Sequence, residues 1–403
     1  MNKSNNRNRK KNKLKILNII ILLIIAIFGV LFLTKKINFN IKKEQVDNFN
    51  PALYINKIFK IAFDETPKEI KYHTSLIMAG DALIHSAVYD DAKTSKGYDF
   101  TPMLELIKPI VKKHDLAYYN QETILGGTEL GLSTYPCFNS PYSVGDAFLD
   151  AGFNIVSLAN NHTLDRGEAA IINSRKYWNK KNVLINGSAT SQKERDTIEI
   201  KEKNNIKYTM LSYTTTTNGI PRQKNYHVNV YDKKQVKKDI EKVRGKSDII
   251  LVAMHWGIEY NQGITSEQRE IAKYLSNLGV DIIIGAHPHV IEPIEYINNT
   301  LVIYSLGNFI SAQRGVDKTT GLMVSVNIDK IVTPDKTTTT VSAPTAELVY
   351  THSNYDPRSN FKIYPYTKLT NEILPNYKQH YKNQMGIVTS KSKKVIPVKL
   401  KEG

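Results

Sequence analysis

DIILVAMHWGIEYNQGITSEQREIAKYLSNLGVDIIIGAHPHVIEP, residues 248–293, carries the pattern that decides the fold. A short apolar run (DIILVAMH) ends in a histidine, an amphipathic helical pattern follows (SEQREIAKYLSNLG), and a second apolar run (DIIIGAH) ends in another histidine. Runs of five or six consecutive apolar residues read as strands buried on both faces, and the intervening pattern reads as a covering helix. The same alternation extends outward. SLIMAG, DLAYYN, FNIVSLA, YTMLSY and LVIYSLGNF read as further strands, and GLMVSVNID and TAELVY as closing strands. MLELIKPIVKKH, VGDAFLDAG, EAAIINSRKYWNKK and KKQVKKDIEKVRG read as helices between them. The expected fold is therefore α/β, with buried sheets covered by helices.

Polar residues gather where these strands end. SLIMAG runs into Gly80-Asp81, with His85 four residues later. DLAYYN runs into Gln121-Glu122, and FNIVSLA into Asn160-Asn161-His162 and Asp165-Arg166-Gly167. The later strands run into His255-Trp256-Gly257, His287-Pro288-His289 and Gly307-Asn308. Loops at the carboxyl ends of strands converge in open α/β sheets, which makes this recurrence a candidate site. Taken singly, an acid after a strand is usually a helix cap or turn former, and a lone histidine a structural hydrogen-bonder. Their joint occurrence points to a metal site. If the loop is extended, His287 and His289 point the same way and reach two adjacent ions. Imidazoles with carboxylate and amide oxygens suit zinc, manganese or iron better than calcium. Two ions bridged by one carboxylate would polarise a phosphoryl or carbonyl oxygen and activate a bound water.

The ends of the chain differ in character. Residues 1–15 hold seven cations and no acid, and 16–34 (ILNIIILLIIAIFGVLFLT) form an apolar run with Asn18 as its one strongly polar side chain. Nineteen residues approach the length of a bilayer-spanning helix, and no signal-peptide cleavage pattern follows them. The expectation is a cytoplasmic basic tail (1–15), one transmembrane helix (16–34), a polar stalk (35–74), a main domain outside the membrane (75–330) and a C-terminal extension (331–403). The whole chain of 403 residues has a formal net charge of +17, and without the tail it still carries about +10. That excess suits an acidic polymer or the membrane surface. Nucleic acid is not the expected partner, because the domain is expected beyond the membrane and no recognition motif is present. Cys137 is the only cysteine, so no intramolecular disulfide can form and the domain relies on its core.

Six stretches together resemble the poly-γ-glutamate capsule biosynthesis proteins of the CapA type. They are MAGDALIH (78–85), NQETILGG (120–127), SLANNHTLDRG (157–167), VAMHWGIEY (252–260), IIIGAHPHVIEP (282–293) and YSLGNFI (304–310). The resemblance implies a two-layered β-sheet sandwich flanked by helices, as in the calcineurin-like metallophosphatases. Carried over by motif, Asp81 and His289 would bind one metal, with His85 as a further candidate. Glu122 would bridge, and Asn161, His255 and His287 would hold a second metal. His162 would donate a proton to a leaving group, oriented by Asp165. The sequence departs from the pattern at Gln121, which stands where Phe or Leu is usual, and at the four-residue spacing from Asp81 to His85. The implied function is a membrane-anchored, extracellular component of poly-γ-glutamate synthesis or export. The anionic polymer and the membrane-bound synthase subunits are its implied partners. A metal-dependent phosphoesterase or amide hydrolase, and a non-catalytic subunit of the synthase, are the alternatives.

Overall fold

In the computed structural model, which describes residues 69–400, the apolar runs become the strands of two large sheets. β1 (Ile70–Leu83) is central to the first. Beyond a minor hairpin of β2 (Lys93–Thr94) and β3 (Gly97–Tyr98), it pairs in parallel with β4 (Leu116–Asn120), followed by β5 (Ile155–Ser157) and β6 (Leu184–Asn186). The second sheet has six strands. It is built from β7 (Lys201–Lys203), β8 (Ile206–Thr214), β9 (Ile249–His255), β10 (Ile282–Ala286), β11 (Ile294–Ile297) and β12 (Thr300–Ile303), in the order β11-β12-β10-β9-β8-β7. Its four inner strands are parallel, and β7 and β11 close the edges antiparallel.

The chain then returns to the first sheet. β13 (Asn308–Ser311) pairs in parallel with the last residues of β1. β14 (Thr320–Val332) pairs with β1 antiparallel, and β15 (Thr337–Val341), β16 (Thr345–His352), β17 (Lys362–Pro365) and β18 (Ile396–Pro397) complete ten strands. LVIYSLGNF is thus not one strand. It splits into β12 and β13, and the chain passes between sheets at Tyr304–Gly307, where Gly307 takes a left-handed φ of 64°.

Alternation along the strands explains the layers. Leu76 and Met78 of β1 face one buried cluster together with Met210, Leu251, Ile284 and Ile303 of the second sheet, so the sheets pack face to face. Ile77 and Ala79, one position out of phase, pack beneath Met103, Val144 and Phe148 on the outside. Across the molecule, Val252, Met254 and Ile283 pack beneath Val236 and Ile240 of the helix Lys233–Val243 and Ile271 and Leu275 of the helix Ser266–Asn277. Both faces of each sheet are therefore apolar, which is why the strands read as unbroken runs. The sequence pattern predicts the covered sheets, and the family resemblance implies their stacking as a sandwich of two.

Local chemistry sets the helix limits. Thr265 caps Ser266–Asn277 through a reciprocal box with Gln268, and Asp232 caps Lys233–Val243 by accepting from the Gln235 amide. MLELIKPIVKKH is broken into Thr101–Leu104 and Lys108–Val111. Pro109 lies in the first turn of the second piece, where its missing N–H costs nothing, and its ring crowds the carbonyl four residues before it.

The tail, the apolar run 16–34 and the stalk through residue 68 lie outside the described residues. No helix among the described residues is long and apolar enough to cross a membrane. Strand β1 starts at Ile70, five residues earlier than the domain start read from sequence. Residues 331–400 are not an appendage, because they supply β15 to β18 to the first sheet. Tyr366, Leu369, Met385 and Val388 pack into the cluster between the sheets. The Lys- and Tyr-rich composition hides this contribution, since each element buries only a few apolar positions.

Candidate metal centre

Seven of the residues read from the sequence meet at one end of the sandwich. Asp81 lies near the end of β1, Glu122 just beyond β4, and Asn161 and His162 beyond β5. These come from the first sheet. His255 is the last residue of β9, and His287 and His289 follow β10, all from the second.

Close backbone approach makes this meeting possible. The Asp81 amide donates to the Gly307 carbonyl at 3.0 Å, and a side chain on Gly80 would place its Cβ 1.9 Å from that same oxygen. In the second sheet a Cβ on Gly285 would sit 1.8 Å from the Tyr304 carbonyl. Only glycine fits at either place.

The ligating atoms form two groups that share Glu122. In one, Asp81, Glu122 and His289 offer atoms within 4.8 Å of one another, and in the other Glu122, His255 and His287 do so. Oε1 of Glu122 lies 3.6 Å from Nε2 of His255 and 3.6 Å from Nε2 of His289. Oδ1 of Asn161 stands 2.9 Å from Nε2 of His255, and Nδ1 of His287 stands 3.2 Å from the same nitrogen. His287 and His289 serve different groups, although the loop between them is not extended. Both have left-handed φ values, 98° and 58°, which are uncommon for a side chain of this size. The turn, not strand alternation, aims the two rings.

Electrostatics mark the same spot. Glu122 is fully buried and neither carboxylate oxygen has a hydrogen-bond partner. Burial first, then the neighbouring Asp81 and Glu259 charges, push its pKa well above the usual carboxylate range. Burial lowers His255 well below its ordinary value, and it lowers His287 to about 4, with other imidazoles adding to both. The set thus offers neutral imidazole nitrogens, a buried carboxylate lacking donors, and an amide oxygen. Such a set fits divalent cations, which would supply the charge that the protein groups leave unbalanced. Asp81, Glu122, Asn161, His255, His287 and His289 are the candidate ligands.

His162 and Asp165 lie beside this centre as a pair, Nδ1 to Oδ2 at 2.7 Å. Asp165 Oδ2 also accepts the Phe138 amide at 2.7 Å, and the Phe138 ring meets His162 edge-on at 4.7 Å. His85 stands outside both groups. Its Nδ1 is 3.1 Å from the Leu83 carbonyl and 3.3 Å from the Ala312 amide, and burial lowers its pKa to about 4. Gln121 also turns away, bonding to Thr123 and Tyr119.

Three asparagines were given no role by the sequence reading. Asn120, paired with Asp81 across β4 and β1, donates to Asp81 Oδ1 at 2.8 Å. Asn308 Oδ1 lies 3.1 Å from Nδ1 of His289, and Asn218 Oδ1 accepts from the Asn161 amide at 3.2 Å. Asn308 carried a signal, its place at a strand end. Asn218 sits in a polar loop that has no periodicity to single it out.

Comparison with known proteins follows the same motifs. The chain is 30% identical over 263 residues to the PGA biosynthesis protein CapA of Bacillus subtilis, covering 62% of this chain and 67% of that protein. It is 29% identical over 174 residues to the capsule biosynthesis protein CapA of Bacillus anthracis, covering 41% and 42%. Among solved structures, a hypothetical protein from Thermus thermophilus aligns with a TM-score of 0.42 at 15% identity, over 66% of this chain and 98% of that one. That value is too low to bear on the chemistry. The family model for the bacterial capsule synthesis protein PGA_cap matches residues 75–313, which include every candidate ligand and the His162–Asp165 pair. The chain belongs to that family of bacterial capsule synthesis proteins.

Proposed function

We propose that this protein is a membrane-anchored, extracytoplasmic component of poly-γ-glutamate synthesis or export, with a two-metal centre where its sheets meet. The observation that carries the metal reading is Glu122, a fully buried carboxylate with two unpartnered oxygens, shared by two groups of ligating atoms. An isolated buried carboxylate is costly, and cations on either side would remove that cost. The family and both curated relatives support the capsule role. The apolar run 16–34 supports the anchor, and the basic composition supports an acidic polymer as partner, with the membrane-bound synthase subunits as neighbours.

A second reading, hydrolysis of a phosphoester or of the polymer's amide bond, is favoured by the His162–Asp165 pair. Bound divalent cations would supply Lewis acidity and an activated water. The protein residues do the rest. Asp165 accepts from Nδ1–H of His162, which leaves Nε2 as the atom that exchanges a proton with a leaving group. Asn161 is held by Asn218, and Asp81 by Asn120, so both oxygens are fixed in direction.

Metal analysis of purified protein tests the centre. Two equivalents of zinc, manganese or iron are expected in the wild type, with loss in Glu122→Gln. Protein that takes up no divalent ion when supplied with them would remove the centre. Deletion of the gene should abolish surface or secreted polymer, and normal polymer would sink the capsule role. Full polymer production by a His287→Ala/His289→Ala double variant would favour the non-catalytic subunit.

A further inference from the structure

β13 leads from Asn308 into Gln313 and Arg314, and the segment after β16 folds back over this turn. Between them lies a cavity of about 200 Å³, lined in part by Gln313, Arg314, Tyr350, Tyr355 and Arg358. It borders the candidate metal centre. Asn308, whose Oδ1 meets His289, donates from Nδ2 to Gln313 Oε1 at 2.9 Å, and Gln313 in turn donates to the Tyr260 hydroxyl at 3.2 Å. The Tyr260 ring stands 6.1 Å from that of His289. One residue, Gln313, therefore belongs to both walls.

The cavity holds two guanidinium groups and no acid to balance them. Arg175, Arg195 and Arg269 each pair with a carboxylate. Arg314 and Arg358 form no ion pair among the described residues. Of the acids close in sequence, Asp356 is exposed and does not line the cavity, and Asp317 is engaged by Gln384 at 2.6 Å. Burial lowers the pKa of Arg358, and the Arg314 charge lowers it further. The two arginines differ in their duties. Arg358 is spent on the wall, donating to the Ala312 and Gln313 carbonyls and to Ser353 Oγ. Arg314 is exposed, makes no hydrogen bond among the described residues, and lies 5.1 Å from the centroid of the Tyr355 ring. Tyr355 is itself 79% exposed, and Lys318 adds a third cation over Tyr260, 4.6 Å from its centroid.

A planar guanidinium fork with unused donors matches a carboxylate, and pairing there would offset the repulsion between the two like charges. Tyr355 would cover the apolar stem of the bound group. We propose that this cavity is a carboxylate-recognition subsite, in which Arg314 takes a side carboxylate of an acidic chain lying across the mouth of the candidate metal centre. The proposal rests on the acidic-polymer reading above and adds the residues that would read the polymer. Both arginines fall outside residues 75–313, so the two guanidinium groups are not part of the family match.

The test uses full-length protein in detergent and a fluorescently labelled γ-linked glutamate decamer, followed by anisotropy. Arg314→Glu should weaken binding at least fivefold at low salt, and Arg314→Lys should weaken it less. Lys238→Glu, the same charge change on the exposed face of the helix Lys233–Val243, should alter it less than twofold. Arg358→Gln reports on the same cavity but risks the loop, so its unfolding transition is measured alongside. Equal losses in Arg314→Glu and Lys238→Glu, or no loss in Arg314→Glu, would overturn the subsite in favour of general charge attraction or none. A decamer that fails to bind the wild type overturns it as well. Metal content, measured on the same samples, separates the two readings. It should be unchanged in Arg314→Glu, and its absence in the wild type would refute the centre while the anisotropy still decides the subsite.

Discussion

Nδ1 of His162 and Oδ2 of Asp165 are 2.7 Å apart, and their side chains are only 6% and 1% exposed. The pair is enclosed, with the carboxylate fixed by the Phe138 amide, so the imidazole has one tautomer to offer. If the site turns over substrate, His162→Ala should lower the metal-dependent rate by about 10²–10⁴-fold with metal content unchanged. Asp165→Asn should lower it too, by freeing the ring. Assays on phosphoester and γ-glutamyl amide substrates, with metal analysis beside them, would check this. Equal rates in His162→Ala and wild type would remove the general-acid role.

Ion binding should also register as stability. A ligand at one hundred times its dissociation constant, binding only the folded state, adds about 2.7 kcal/mol. Thermal unfolding of the wild type should therefore rise on adding zinc or manganese and fall with a chelator. Glu122→Gln should abolish most of the gain, since the shared ligand is gone. An unchanged response in that variant would show that Glu122 does not bridge.

Asn218 should matter although it touches no candidate ion. It accepts from the Asn161 amide, leaving the Asn161 carbonyl oxygen turned toward His255. Asn218→Ala is expected to lower affinity at one of two sites by about 10–100-fold, a typical cost for losing an outer partner of a ligand. Asn218→Asp, which keeps the acceptor, should recover much of it. Calorimetric titration with a divalent ion resolves the two sites and reads the difference.

Acid stability should depend on Glu194. Burial works against its charge, but the Thr190 amide and Arg175 outweigh this and hold its pKa at about 2, against an ordinary value of 4.5. The folded state thus binds the proton more weakly than the unfolded state. Its contribution is complete above about pH 4.5 and disappears as pH falls toward 2. The side chain is 23% exposed, which reduces the effect, so Glu194→Gln should cost about 1–2 kcal/mol at pH 7. Chemical denaturation at pH 7, 4 and 3 should show the gap narrowing. A constant gap would mean that packing, not charge, is lost.

Sequence carried much of this, for reasons that differ by element. Strands buried on both faces, such as Ile249–His255, announce themselves as apolar runs. Lys201–Lys203 and Leu184–Asn186 are three residues each, too short to show a period. LVIYSLGNF reads as one strand because apolar pattern does not record which sheet a residue joins. The six candidate ligands were legible because strand ends converge and their side chains have few other uses there. The holding roles of Asn120, Asn218 and Asn308 were not, because an asparagine that holds another side chain resembles any turn residue. The fate of 331–400 was obscured by composition, since sparse apolar residues such as Val388 and Tyr366 anchor it across long separations.

Each of the two ligand groups draws on both sheets, and Asp81 and His287 are 206 positions apart in the chain. No half of the molecule can assemble either group, and parallel pairing over such separations forms late. Ion uptake should consequently be the closing event of folding: a refolding chain would gain affinity only after its sheets have docked. The centre would then act as a lock across a seam, and unfolding would have to begin by releasing it or by fraying somewhere else.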